Sequence, residues 1–505
     1  MARARWQQAA VLCAPALAAL ALYADVTHAG FVLDDRAAVA DAPLVTGPAS
    51  VGDLLAASSP AARPDLEAPS TWRPLALASL RLDARLGAGE PRLFHTTNLL
   101  LHVLVVIAAA LLLLRLGVPP PAAAPALLVI ALHPVFAETV ASLLGRGELL
   151  AALFGLLGLR ALVAGELHGV VALALALLSS ESAAFFLVPG FLLAFRGHDR
   201  RPAVLLLLVV GLWLGARTAV LGGLSPPPSA LHNQLTSLDT LERLRAGLGV
   251  IGRYLGHWLV PHTFAADHGP AVDLAGPNGA YTIIGGAGVM ALLAAAVSAR
   301  RRRQLTLLLG LLMALVGLAA LSNIALLLPS PLSGRLAYLP AIGLALALGG
   351  ALAGHLGGMR QAALFALGLW LGAGVPTTRA ELHAWHDDAS LLALTVEAEP
   401  ASVLARVRIA DGALRRGELS LALRHLQAAR LLAPHDPRVL SGLARVLERT
   451  GQPAEAWRLA VAADAAERRP GQARATLCAL AATRPELDPV AVHRACPEPG
   501  PPAPR

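Results

Sequence analysis

Lysine is absent from these 505 residues, so all 41 basic side chains are arginines. Charge is scarce altogether, at 15% of residues, where a soluble domain carries about 25%. That shortage excludes a string of soluble domains. Aromatics supply only 4%, so a hydrophobic fraction of 56% rests almost entirely on Leu, Ala and Val. HExxH, CxxC and any compact metal-ligand spacing are missing, which argues against a structural or catalytic zinc. So are a Walker A motif and a Rossmann fingerprint, which argues against use of a soluble nucleotide. Cysteine is limited to three: Cys13 in the first apolar segment, and Cys478 and Cys496 in a hydrophilic tail. The latter two either form a disulfide, if the tail is extracytoplasmic, or remain two free thiols.

What is abundant is apolar sequence. A membrane span needs about 20 apolar residues. Candidates lie at 8–24, 94–116, 122–142, 149–164, 167–180, 183–196, 203–223, 281–299, 304–328, 336–354 and 361–377. The fold class expected is therefore an all-α polytopic membrane protein with about eleven transmembrane helices. The first segment, preceded by Arg3 and Arg5, reads as an uncleaved span rather than a signal peptide. Arginines gather at Arg196, Arg200 and Arg201, at Arg300 to Arg303, and at Arg360. With the positive-inside bias, these loops and the N-terminus are cytoplasmic, and the net charge of +8 reports topology rather than nucleic-acid affinity. Loops 25–93 and 224–280, and everything after 377, then face outward. Thr71 to Leu86 reads as an amphipathic helix on the outer leaflet, and 241–260 as a second interfacial or shallowly inserted helix. The Arg-only, Ala- and Pro-rich usage fits a GC-rich bacterial genome, and hence a bacterial inner membrane.

Domain boundaries follow from composition: a membrane part at 1–380, a helical module at 381–496, and a disordered tail at 497–505. Shifting the module by 34 residues superposes Gly417 on Gly451, Ala422 on Ala456, Ala429 on Ala463, and Pro400 on Pro434. That period and those small residues are similar to tetratricopeptide repeats, which hold peptides or partner proteins on a concave face.

Asp34 and Asp35, directly after the first span, are the sharpest chemical feature. Adjacent carboxylates repel each other and are costly to desolvate, which raises one pKa. Such a pair suits a general base or a ligand set for a divalent cation; the bland alternative is a solvated, helix-capping loop acid. His95, Asn98 and His102 share one helical face. His133, Glu138, Arg146, Glu148, Glu181, Asp267, His268 and Arg335 map to the same leaflet. Polar residues beside spans are functional candidates by default.

In order along the chain, Asp34-Asp35, Trp72-Arg73-Pro74-Leu75 and Phe94-His95-x-x-Asn98-Leu99-x-Leu101-His102 are followed by His133-Pro134-x-x-x-Glu138 and Gly145-Arg146. Glu181, Tyr254, Ser322-Asn323 and Arg335-Leu336-Ala337-Tyr338-Leu339-Pro340 complete the set. This series resembles the transmembrane and tetratricopeptide-repeat-containing O-mannosyltransferases, within the GT-C glycosyltransferases. The departures are Ser180 in place of a basic residue, Gly334 in place of an acidic one, and a short repeat array. The resemblance implies a polyprenyl-phosphate sugar donor, mannose favoured, and a protein or peptide acceptor positioned by the repeats. Asp34 or Asp35 would take the proton from the acceptor hydroxyl in an inverting displacement. Arg146 and Arg335 would hold the leaving phosphate. Glu138, His95, His133 and His102 would orient substrate, and membrane lipid would surround the spans. No cofactor is required, although a divalent cation at Asp34 and Asp35 is compatible. Two competing readings are a non-catalytic membrane-anchored repeat scaffold and, ranked last, a secondary transporter.

Overall fold

A computed structural model describes residues 2–58, 71–197, 199–223, 233–268, 273–276, 279–328, 330–354, 358–467, 471–483 and 496. The expected disordered tail at 497–505 lies outside them. The described residues are helical, with no strand. Among the described residues, four helices are long and apolar enough to cross a membrane: Pro91–Arg115, Arg201–Leu221, Ala280–Arg301 and Gly334–Ala353. A fifth span exists if Pro120–Leu132 and Pro134–Ala141 are counted together across a bend of 56°. The bend follows from chemistry at the break. Pro134 lacks an amide hydrogen, and His133 Nδ1 accepts from the Val135 amide at 3.1 Å, capping a new turn.

The other expected segments fall in helices too, but several are short. Segment 183–196 becomes a 3-10 turn at Glu181–Phe186 and an eight-residue helix, Leu187–Ala194. At about 1.5 Å per residue, that helix cannot cross hydrocarbon alone. His168–Ser179 and Leu305–Leu321 are apolar but also shorter than a full span.

Two kinds of apolar helix emerge. Pro91–Arg115 and Gly334–Ala353 are mostly buried, at 61% and 78% of their apolar windows, and anchor the main core with Pro120–Leu132. Arg201–Leu221 and Ala280–Arg301 are only 11% and 17% buried. Leu207, Leu208, Leu212, Ile283 and Met290 point outward from them, which is what lipid-facing positions require. Close helix contact depends on glycine. A side chain at Gly310 or Gly343 would strike the backbone of the facing helix, so Leu305–Leu321 and Gly334–Ala353 pack main chain to main chain.

The segment expected to lie on the leaflet forms the helix Pro74–Leu86. Leu77, Leu80 and Ala84 pack with Val39, Val45, Phe94 and Leu143, while Leu82 and Leu86 stay exposed. Its Arg81 donates to the carbonyls of Leu44 and Ala49, at 2.9 and 2.8 Å. The helix Thr240–Leu259, expected at the interface, packs against Ala280–Arg301, with Gly252 and Gly285 allowing the approach.

The last expected span continues past residue 380 as one helix, Gly358–Ala384. Helices Asp388–Ala398, Val403–Arg416, Leu419–Leu432, Pro437–Arg449, Pro453–Ala466 and Gln472–Thr483 follow. Gly417 and Gly451 occupy left-handed turns with φ of +79° and +78°. Ala422, Ala429, Ala456 and Ala463 are fully buried in small cores separate from the main one. Cys478 and Cys496 form a disulfide.

Candidate functional site

The acidic pair is reached by a tethered loop. The chain leaves the helix Ala2–Tyr23 through a 3-10 turn, Ala24–His28, and arrives at Leu33 with φ of +50°. A β-carbon makes that conformation cost about 1–3 kcal/mol, so it persists only where the surroundings enforce it. The Leu33 amide donates to Asp388 Oδ1 at 2.7 Å, and the Gly30 amide to the His386 carbonyl at 3.1 Å. His95 Nε2 lies 3.1 Å from the Gly30 carbonyl. His95 thus pins the loop from below while residues 386–388 hold it from the side.

The two neighbouring carboxylates then diverge. Asp34 is half exposed, and its Oδ1 accepts from Arg408 Nη2 at 3.1 Å. Asp35 is 1% exposed. Its Oδ1 accepts from the Leu143 amide at 3.1 Å, whereas Oδ2 is buried with no hydrogen-bond partner. Burial pushes the Asp35 carboxyl up to about 7, against the opposing pull of the Val32 and Leu143 amides and the charge of Arg335. A carboxyl titrating near neutrality with one free oxygen is the form a general base takes.

Arg335 opens the helix Gly334–Ala353, and its Nε lies 3.1 Å from Glu138 Oε1. The Arg335 side chain is 30% exposed, and that of Glu138 11%. Tyr254 fixes the residue before this helix: its hydroxyl accepts from the Ser333 amide at 2.9 Å and donates to the Ser333 carbonyl at 3.1 Å. Any side chain at Gly334 would drive into the Glu138 carboxylate. Glycine here, where the resemblance expects an acid, leaves the Glu138 carboxylate room beside Arg335, and a side chain would oblige that carboxylate to shift.

Arg146, expected to hold phosphate, is fully buried. Its Nε donates to Asn98 Oδ1 at 2.5 Å, Nη1 to Ser79 Oγ at 2.7 Å, and Nη2 to Asp83 Oδ2 and the Phe94 carbonyl at 2.7 and 2.9 Å. Asn98 in turn donates to the carbonyls of Val140 and Ser142. This cluster ties three helices together directly beneath the acidic loop, because Leu143, the amide partner of Asp35, follows immediately after Ser142.

The remaining expected residues disperse. His102 Nδ1 lies 2.8 Å from the Tyr338 hydroxyl and its ring contacts Tyr23, inside the core. His133 caps the helix break and packs on Trp370, with ring centroids 4.8 Å apart. The structure therefore gathers Asp34, Asp35, His95, Glu138 and Arg335 around the loop, places Arg146 below it, and leaves His102 and His133 in packing positions.

One arrangement was not read from the sequence. Arg73 forms a paired contact with Glu181, Nε to Oε2 and Nη2 to Oε1, both at 2.9 Å, and lies 3.4 Å from Glu148. Ser180 donates to Glu148 at 2.7 Å, so a hydroxyl stands where the resemblance expects a cation. The signal was present as separate motifs, but 108 residues part Arg73 from Glu181.

The arrangement is that of a buried acid beside a partly open guanidinium, at the ends of apolar helices. No family model matches the chain, and no solved structure matches it. Over 134 residues, 26% of its length, it is 33% identical to Protein O-mannosyl-transferase Tmtc1 of Drosophila melanogaster, covering 15% of that protein. It is 35% identical over 135 residues to Protein O-mannosyl-transferase Tmtc2 of the same organism, covering 26% of this chain and 14% of that one. To Protein O-mannosyl-transferase TMTC2 of Mus musculus it is 33% identical over 89 residues, covering 18% of this chain and 11% of that one. The chain thus shows partial homology to proteins named as O-mannosyl-transferases, and the match spans 15% or less of their length.

Proposed function

We propose that the chain is a membrane glycosyltransferase that moves a sugar, mannose favoured, from a polyprenyl-phosphate donor to a hydroxyl of a protein acceptor. The observation that carries the reading is Asp35: buried, raised to about 7, and with Oδ2 uncommitted. In the transfer step Asp35 takes the acceptor hydroxyl proton as that oxygen bonds to the anomeric carbon. The bond from that carbon to the phosphate oxygen breaks on the opposite side, and polyprenyl phosphate leaves with the electron pair. Inversion at the anomeric centre follows from this geometry.

Of the two acids, Asp35 is the base, because Asp34 is already paired with Arg408. Of the two arginines, Arg335 meets the growing charge on the phosphate, since its side chain is partly open and pairs with one carboxylate, that of Glu138. Arg146 acts through the framework, holding Asn98 and Asp83. Glu138 orients Arg335, and His95 orients the loop. The partial kinship with proteins named as O-mannosyl-transferases supports the reaction class.

The wider frame belongs to the same proposal. It comprises a GT-C-type membrane part of about eleven embedded helices up to residue 380 and a tetratricopeptide-like module at 381–496 that presents the acceptor. The N-terminus lies on the cytoplasmic side of a bacterial inner membrane and the module on the outer side. The Cys478–Cys496 disulfide supports an oxidising location for the module.

The test is release of polyprenyl phosphate from polyprenyl-phosphate mannose in the presence of a hydroxyl-bearing acceptor peptide, with the glucose analogue in parallel, each with and without EDTA. We expect release by the wild type and loss by roughly 100- to 10,000-fold in Asp35→Asn. Unchanged release by that variant removes the base, and a folded wild type that releases nothing favours the non-catalytic scaffold. EDTA sensitivity would assign a divalent cation to the acidic loop.

A further inference from the structure

A second group of chemically capable side chains lies just ahead of the acidic loop. Asp25 sits in the 3-10 turn Ala24–His28, His383 in the last turn of the helix Gly358–Ala384, and His386 in the turn that follows that helix. The turn brings the second imidazole back beside the first. Their ligating atoms and an Asp25 carboxylate oxygen all lie within 4.8 Å of one another. His386 Nε2 is 3.0 Å from Asp25 Oδ2, yet it is a buried nitrogen that makes no hydrogen bond. The rings of His383 and His386 are 5.1 Å apart.

We propose that Asp25, His383 and His386 bind one zinc-class divalent ion. Metal–ligand bonds of about 2.0–2.2 Å in a tetrahedral shell set neighbouring ligand atoms about 3.4 Å apart, so small side-chain rotations close the site. Two imidazoles and one carboxylate select a borderline ion such as zinc over magnesium or calcium, which prefer oxygen ligands. Water takes the fourth position. A zinc site here revises the expectation of no compact ligand spacing and no zinc, which passes over His383-x-x-His386; the third ligand, Asp25, comes from far away in the chain.

The site has a structural consequence. His386 also offers its carbonyl to the Gly30 amide, and Gly30 in turn meets His95. An ion across Asp25 and the two histidines would therefore fasten the start of the acidic loop to the helix that leads into the tail. The metal's role is to position the loop. The inference does not depend on transferase activity.

The experiment uses full-length protein in detergent, stripped with chelator and titrated with zinc chloride against a chromophoric indicator, with magnesium as the comparison ion. Wild type and the control His168→Ala, an exposed histidine elsewhere, should each take up one equivalent of zinc and unfold at a higher temperature with it. Asp25→Asn, and His383→Ala, which alters an exposed side chain, should bind at least about tenfold more weakly and lose the thermal shift. Circular dichroism and gel filtration confirm that the variants are folded. Zinc uptake unchanged in both variants, or absent from the wild type, overturns the site.

Discussion

Arg146 and Arg335 are the same side chain in opposite situations. Around Arg146 there is no exposed surface, and its guanidinium is met by Asn98, Ser79, Asp83 and the Phe94 carbonyl. Around Arg335 nearly a third of the side chain is exposed, and a single carboxylate answers it. A desolvated charge must be fully compensated or the fold does not form, whereas a partly open one retains capacity for a ligand. The difference separates framework from chemistry among residues that look alike in the sequence.

The comparison is broken most forcefully at Arg146. Arg146→Met leaves Asp83 buried without its cation and should cost about 3–5 kcal/mol, read as loss of monodisperse protein or a large fall in unfolding temperature. A variant of wild-type stability would place Arg146 outside the framework. Arg335→Gln should stay folded, because its surroundings are partly open. It should lose roughly 100-fold in turnover, measured by polyprenyl phosphate release, with substrate affinity changed much less.

A smaller effect comes from pH. The base must be ionised, so with the Asp35 carboxyl raised to about 7, transfer should fall about tenfold for each pH unit below that value and level off above it. Stability runs the other way. The folded state binds this proton more tightly than the unfolded chain, whose carboxyl titrates near its ordinary value of 3.8. The contribution is therefore complete below about 4 and lost as pH rises through 7. Asp35→Asn should accordingly be more stable than wild type at pH 8, seen by thermal unfolding. The smallest change is expected for Arg408→Ala, whose half-exposed pair with Asp34 is worth under about 1 kcal/mol. Its signature is a modest rise in the acceptor KM.

Much of the site was readable because helices repeat. His95, Asn98 and His102, at spacings of three and four, are all buried on one face of Pro91–Arg115. What the sequence could not convey was partnership. Nothing local distinguishes Arg146, whose carboxylate lies 63 residues away, from Arg335, whose carboxylate, Glu138, lies on a different helix far back in the sequence. Nor does the Asp34-Asp35 pair announce that one carboxylate turns to a tail helix and the other to a loop amide. Span counting met a similar limit. Hydropathy marks 183–196 as apolar, but Ser180 caps a 3-10 turn by accepting from the Ser182 amide, which shortens the helix behind it.

The bond from the Leu33 amide to Asp388 has a consequence for engineering and for descent. The acidic turn is shaped by a residue of the tail, so the two parts are not interchangeable modules. Grafting a foreign tail onto these helices would leave Leu33 in an unsupported backbone conformation and Asp34 without Arg408. A working chimera would have to carry residues 25–35 and 383–408 together, and divergence in one stretch should be matched by divergence in the other.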